Sequence, residues 1–178
     1  SSAASDVYKR QVNDCTASFK ISFATNDNTY AAIVGGDITC ENWKEVIQYN
    51  EDLEFDILLA PHHCSWHSVS TEDVDGGAPD EEIEDFLEKS KEKAYVIASS
   101  KSIKRNNDNP PSYRAKNVYI KHLKNEERFI CTAEYPDSEN PQPLVLKITG
   151  QGVSVKSVTT DATKKSNSYT PKSYGIWS

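Results

Sequence analysis

The chain of 178 residues contains no methionine and no Cys-x-x-Cys pair. Its cysteines are instead far apart in the sequence, at Cys15, Cys40, Cys64 and Cys131. Wide spacing argues against a structural zinc site of the ribbon type. Because nothing in the sequence indicates an oxidising compartment, we expect reduced, mostly buried thiols and a cytoplasmic location.

Long apolar runs and an excess of basic residues are also missing. No stretch approaches the roughly 20 apolar residues that a transmembrane helix requires. With 20 Lys and Arg against 27 Asp and Glu, the formal net charge is −7. This balance excludes a general attraction to nucleic acid or to anionic membranes. An enzyme that cleaves nucleic acid would therefore need a local basic patch or metal ions.

One local basic cluster does occur, within a polar stretch at 101–112. It consists of Lys101, Lys104 and Arg105. These side chains are candidates for binding a phosphate or another anionic substrate. The alternative is an ordinary solvated loop.

Three of the four histidines follow a single apolar run. The run at 55–60 ends at Pro61, and His62, His63 and His67 come directly after it. Ligands in open α/β sheets bind beyond the carboxyl ends of the strands. The pattern therefore favours a functional site at this strand end over a histidine-containing loop that only packs on the sheet.

A second apolar run, at 30–34, ends in Gly35-Gly36-Asp37. Glycine leaves room for a carboxylate to approach a cation closely. Carboxylate and imidazole together suit zinc, manganese or iron. The alternative for Asp37 is a helix N-cap, which is common after a glycine turn.

These two motifs carry a family resemblance. The segment from 14 to about 123 resembles the C-terminal half of a metallo-β-lactamase-fold hydrolase. It is most similar to the branch that includes the hydrolase domain of bacterial DNA-uptake channels. In that branch one strand ends in Gly-Asp and the next in Pro-His-His-Gly-Ser. Cys64 here replaces the glycine, and Asn109 stands before a proline where the branch tends to have histidine.

The resemblance implies an α/β (α+β) fold, namely half of a four-layer αββα sandwich that is truncated at its N-terminus. It further implies a hydrolase, most plausibly a phosphodiesterase or nuclease, that uses a metal-activated water. Asp37 would bridge two ions, zinc or alternatively manganese or iron. One histidine of the pair His62 and His63 would be a ligand, and we favour His63 because it lies further from the strand. Ser65 and His67 join the basic cluster as candidate substrate-binding residues.

The family's other ligands belong to a His-x-His-x-Asp-His motif, which this sequence does not contain. We therefore expect a missing N-terminal half to supply them and to act as the chain's partner. Residues 1–11, SSAASDVYKRQ, resemble translated sequencing-adapter DNA and are expected to be non-native. Residues 12–158 would form the half-domain, and the polar residues 159–178 a poorly ordered tail.

The alternative function is a metal-free relative that keeps this fold as a scaffold for partner binding. Hydrophobic periodicity predicts the elements of either protein. The predicted strands cover 16–23 (half-buried), 29–34, 55–60, 94–98, 128–132 and a hairpin at 144–149 and 153–158, and the predicted helices cover 41–49, 81–91 and 113–123.

Overall fold

A computed structural model describes residues 16–50 and 52–156 of the chain. The expected adapter-derived residues 1–11 and the expected tail at 159–178 lie outside this part. Strands and helices alternate in the order β1 (Phe19–Ala24), β2 (Thr29–Val34), α1 (Cys40–Gln48), β3 (Phe55–Leu59), the single turn α2 (Pro61–Cys64), α3 (Glu81–Glu88), β4 (Ser90–Ala98), α4 (Tyr113–His122), β5 (Phe129–Cys131), β6 (Leu146–Thr149) and β7 (Gly152–Val155).

The central sheet has five strands in the order β1-β2-β3-β4-β5. Strands β2 to β5 are parallel, and β1 pairs antiparallel with β2. Connections between parallel strands are right-handed in nearly all proteins, so consecutive connections place their helices on the same face. This mixed sheet with several helices agrees with the predicted α/β (α+β) class.

The main core lies between the sheet and α1, α3 and α4. Trp43 of α1 packs edge-on against Phe86 of α3, with the ring centroids 5.2 Å apart, and Phe86 also contacts Phe55 of β3. All three side chains are almost completely buried. Burying side chains of this size contributes about 1.5–3 kcal/mol each, and this packing fixes the helices against the sheet.

The opposite face of the sheet carries a smaller cluster beneath the β6–β7 hairpin. Tyr30, Ile57 and Ile97 of the sheet pack with Val153 of the hairpin. At the hairpin tip, the carbonyl oxygen of Gly150 accepts hydrogen bonds from Asn28 and Tyr30. The hairpin that the sequence predicted therefore packs on the central sheet.

Strand β1 differs from its prediction. The alternating sequence predicted a half-buried strand, but every residue of β1 is exposed. Phe19, Ile21 and Phe23, which lie on one face, are 59%, 45% and 37% exposed. These side chains are exposed because β1 is an edge strand of the sheet. Within the described residues, neither a helix nor the hairpin covers it.

Helix α3 also departs from its prediction, because it ends at Glu88 and β4 already begins at Ser90. Lys89, Ser90 and Lys91 are compatible with either element, so composition could not place this boundary. Among the described residues no helix has both the length and the apolar character that crossing a bilayer demands.

Candidate functional site

The candidate site lies where the parallel strands end. Because β2 to β5 are parallel, the residues that follow them meet at one edge of the sheet. Asp37 follows β2, His63 follows β3, Ser99 follows β4 and Thr132 follows β5. A cavity of about 430 Å³ at this edge is lined by His63, Ser99, Thr132 and, from the flanking loops, Ser100, Lys101, Pro110 and Pro111.

The two glycines before Asp37 are required by close packing. A Cβ atom on Gly35 would lie 2.7 Å from the ring of Pro61, and one on Gly36 would lie 2.9 Å from the hydroxyl oxygen of Thr16. Gly36 also has a φ of +60°, which side chains rarely adopt. The same Thr16 oxygen accepts a hydrogen bond from the backbone N–H of Asp37. Without side chains at Gly35 and Gly36, the segment after β2 can pack closely against Pro61, where the histidine-bearing turn begins, and against Thr16.

That turn has an unusual backbone. His62, His63 and Cys64 have φ values of 47°, 56° and 66°, so three consecutive side-chain-bearing residues are left-handed. Each such residue costs about 1–2 kcal/mol. Hydrogen bonds from the N–H of His62 to the carbonyl of Gly36, and from the N–H of Ser112 to the carbonyl of Cys64, hold the turn in place. Strain of this kind concentrates at functional sites.

The turn directs the ring of His63 towards Asp37. Its Nδ1 atom lies 2.7 Å from the carbonyl oxygen of Ser99. Since a carbonyl only accepts hydrogen bonds, Nδ1 carries the proton, and the lone pair of the neutral ring is on Nε2. Nε2 lies 3.6 Å from Oδ1 of Asp37, and both side chains are about half exposed.

This arrangement has the features of a metal-ligand pair. In a tetrahedral zinc site with ligand distances near 2.0–2.1 Å, two ligand atoms lie about 3.3 Å apart, close to the 3.6 Å between Asp37 and His63. Metal-binding histidines also commonly donate their other ring N–H to a backbone carbonyl, as His63 does to Ser99. The chemistry of these two candidate donors is compatible with zinc.

His62 is placed differently. Its Nδ1 atom is buried and has no hydrogen-bond partner among the described residues. Burial lowers the pKa of His62, although the charge of Asp37 acts in the opposite direction. The imidazole is therefore held towards its neutral form, which is the form that binds metals.

Cys40, Cys64 and Cys131 are buried and form no disulfide among the described residues; Cys15 lies outside them. Burial raises the pKa of the Cys64 thiol well above its usual range. Although Cys64 is adjacent to His63, it packs in the core under the helices. Cys64 is thus positioned as a packing residue.

The candidates that follow the turn do not converge on Asp37. Ser65 is completely buried, and its hydroxyl donates to the side-chain oxygen of Asn109 while accepting from the N–H of His67. Asn109 also accepts from the backbone N–H of Trp66. Asn109, at the position where the branch tends to have histidine, thus links two loops. His67 is exposed.

The three residues of the basic cluster, Lys101, Lys104 and Arg105, do not lie together in the structure. Lys101 lines the cavity beside His63 and forms an ion pair with Asp108 at 2.9 Å. Arg105 lies over the ring of Tyr113 and donates to its hydroxyl group, in a separate cavity between the loops. Lys104 is exposed. Only Lys101 shares a cavity with a predicted ligand.

Sequence reasoning missed Ser99 and Thr132. Both directly follow parallel strands, so the rule that selected Asp37 and His63 would also have found them. Ser99 orients His63 through its backbone carbonyl, which no side-chain motif would reveal. Within 16–50 and 52–156, no group of three or more His, Cys, Asp or Glu residues is arranged to hold a metal ion.

Comparisons with known proteins add nothing to this description, since no family model, no curated protein and no solved structure matches the chain.

Proposed function

We propose that this chain forms part of a metal-dependent hydrolase of the metallo-β-lactamase fold, a phosphodiesterase in which Asp37 and His63 bind zinc. The observation that carries the proposal is the position of the His63 ring. One nitrogen is bound by the Ser99 carbonyl, and the other lies 3.6 Å from the Asp37 carboxylate. No other histidine among the described residues combines these two contacts.

The position of the site and the strain in its backbone also support the proposal of a metal site. Ligands bind beyond the carboxyl ends of parallel strands in open α/β sheets, and the His63–Asp37 pair is at that edge. The left-handed backbone of His62, His63 and Cys64 is energetically costly. A metal ion held by the turn would offset this cost.

In the proposed reaction, bound zinc would supply a Lewis acid and lower the pKa of a water molecule. The chain's own contribution is orientation. Ser99 fixes the proton of His63 on Nδ1 and leaves Nε2 available. The ammonium group of Lys101, in the same cavity, would attract an anionic ester, because its ion pair with Asp108 lies at the exposed surface and is weak.

Two ligands are too few for a zinc site, which normally has about four. The remaining ligands would come from a His-x-His-x-Asp-His segment in an N-terminal half, completing the αββα sandwich. Alone, residues 1–178 would bind zinc weakly and hydrolyse phosphodiesters at no useful rate.

The alternative proposal is a metal-free scaffold that binds a partner protein. It is favoured by the exposed stripe of Phe19, Ile21 and Phe23 on β1. Exposed apolar patches of this kind often mark interaction surfaces.

Zinc titration of the chain by isothermal calorimetry separates the two proposals. Loss of a second-shell group alone weakens metal binding about 10–100-fold, so we expect His63→Ala to lose at least this much and His62→Ala to be largely tolerated. His67→Ala, an exposed histidine in the same segment, is the matched control. Equal zinc binding by the unchanged chain and by His63→Ala would leave the scaffold as the better account.

In a protein that joins this chain to the proposed N-terminal half, Asp37→Ala should lower the metal content and remove hydrolysis of bis(4-nitrophenyl) phosphate. An unchanged metal-to-protein ratio in that variant would overturn the assignment of Asp37.

A further inference from the structure

A second cavity adjoins the one beside His63. It has a volume of about 700 Å³ and lies on the hairpin side of the sheet. Its floor is formed by Leu59 and Ile97, and the segment before β6 forms its wall through Leu144 and neighbouring residues. The volume is within the range of small-molecule sites, about 300–1,000 Å³.

The two cavities are adjacent. Ser99 and Thr132 line both of them. Ser99 is also the residue whose carbonyl oxygen contacts His63 at 2.7 Å. A ligand with one group near His63 and Lys101 can therefore extend past Ser99 into the second cavity.

The lining of the second cavity indicates which group would enter it. Among the described residues, the lining besides Ser99, Thr132 and Gln142 is entirely Leu, Ile and Pro, with no charged and no aromatic side chain. Nucleobases in single strands are typically bound by stacking on aromatic side chains. An aliphatic chain requires only apolar contact, which this lining offers. The net charge of −7 also disfavours a polyanionic substrate.

We propose that the substrate is a small phosphodiester with one aliphatic chain, whose phosphate lies beside His63 and Lys101 and whose aliphatic chain occupies the cavity bounded by Leu59, Ile97 and Leu144. This inference rests on the proposed phosphodiesterase function and narrows its substrate from nucleic acid to alkyl esters. The negative charge of the phosphate complements Lys101, and contact of the ligand's aliphatic chain with the apolar cavity provides the affinity.

The test is a titration of the full protein chain, followed by NMR, with methyl, ethyl, propyl and butyl phosphate, which are the monoester products that hydrolysis of such diesters would leave. Because burial of a methylene is worth about 0.8 kcal/mol, the dissociation constant should fall about fourfold for each added CH₂. Uridine monophosphate should bind no better than methyl phosphate. A dissociation constant that does not change with chain length, or tighter binding of the nucleotide, would overturn the proposal.

Two neighbouring substitutions supply the matched control. Leu144 lines the cavity, whereas Val145 is 45% exposed and is not part of the lining. Leu144→Asp should abolish the dependence on chain length and leave methyl phosphate binding intact, whereas Val145→Asp should leave both unchanged. If Leu144→Asp fails to fold, the milder variant Leu144→Ala takes its place, and it should reduce the dependence of the dissociation constant on chain length. Equal losses in the Leu144 and Val145 variants would contradict the assignment.

Failure of the cavity assignment can be distinguished from failure of the proposed hydrolase function. Lys101→Ala should weaken all the phosphates equally without changing the chain-length dependence. If zinc binding proves independent of Asp37 and His63 while the chain-length dependence persists, the hydrolase proposal fails and the cavity assignment stands. If zinc binding follows Asp37 and His63 but chain length has no effect, only the cavity assignment fails.

Discussion

The Nδ1 atom of His63 lies 2.7 Å from the carbonyl oxygen of Ser99. Ser99, directly after β4, thereby determines which ring nitrogen of His63, in the turn after β3, faces Asp37. Three strand ends contribute to one arrangement, and none of the three residues is near another in the sequence.

Gly36→Ala should destabilise the protein and weaken metal binding. The substitution places a Cβ atom at a φ of +60° and 2.9 Å from the Thr16 hydroxyl oxygen. We expect a loss of about 1–2 kcal/mol in the free energy of unfolding, because Thr16 or the loop must move. Asp37 would be displaced as well, since its N–H is bonded to the same oxygen.

The matched control is Gly76→Ala, because a Cβ atom there has no neighbour within 4 Å in the part of the chain that the structure describes. Chemical denaturation should show that Gly76→Ala is neutral or stabilising by up to about 1 kcal/mol. Equal effects of the two substitutions would contradict the packing described for Gly36.

At Cys64, glycine should be tolerated at least as well as alanine. Both substitutions remove the thiol, but alanine keeps a Cβ atom at a φ of 66°, which costs about 1–2 kcal/mol. Glycine loses about 0.4–1 kcal/mol relative to alanine through the unfolded chain. The free energy of unfolding of Cys64→Gly should therefore equal that of Cys64→Ala or exceed it by up to about 1.6 kcal/mol.

Cys131 provides the comparison, because it is also buried but has a φ of −86°. There the order should reverse, with Cys131→Ala more stable than Cys131→Gly. If alanine is the better residue at both positions, the left-handed turn is not present in solution.

Glu84 should contribute stability that depends on pH. Hydrogen bonds from Lys121 and, to a smaller extent, from His122 lower its pKa despite partial burial. A carboxylate with a depressed folded-state pKa stabilises the protein above its unfolded pKa of about 4.3, and the contribution is lost as the pH falls through the folded-state value. Glu84→Gln should therefore cost about 1 kcal/mol at neutral pH.

The difference between Glu84→Gln and the unchanged chain should disappear in acid, as measured by urea denaturation across pH 2–7. Asp85→Asn is the control, because Asp85 is exposed and forms no ion pair among the described residues. A difference that stays constant with pH would show that the effect of Glu84 is steric.

The strand ends could be predicted from sequence because apolar runs that stop at Gly-Gly-Asp or Pro-His-His are local signals. The exposure of β1 could not, since an edge strand and a central strand can share the same alternation. The burial of Ser65 depends on Asn109, which is 44 residues away. Likewise, Arg114 lies over the ring of Trp66 and donates to the carbonyls of Val74 and Gly77. Long-range contacts of this type leave no pattern in the sequence.

The most direct test of the metal site is paramagnetic mapping. The isotope-labelled chain is titrated with Mn²⁺, which broadens NMR signals near its binding site. We expect the amide signals of Asp37, His63 and Ser99 to broaden first. Asp37→Asn should remove this effect, whereas Asp108→Asn, a carboxylate at the same edge that pairs with Lys101, should preserve it. Broadening centred elsewhere, for example on the acidic residues Asp80 and Glu82, or broadening that persists in Asp37→Asn, would contradict the proposed metal centre.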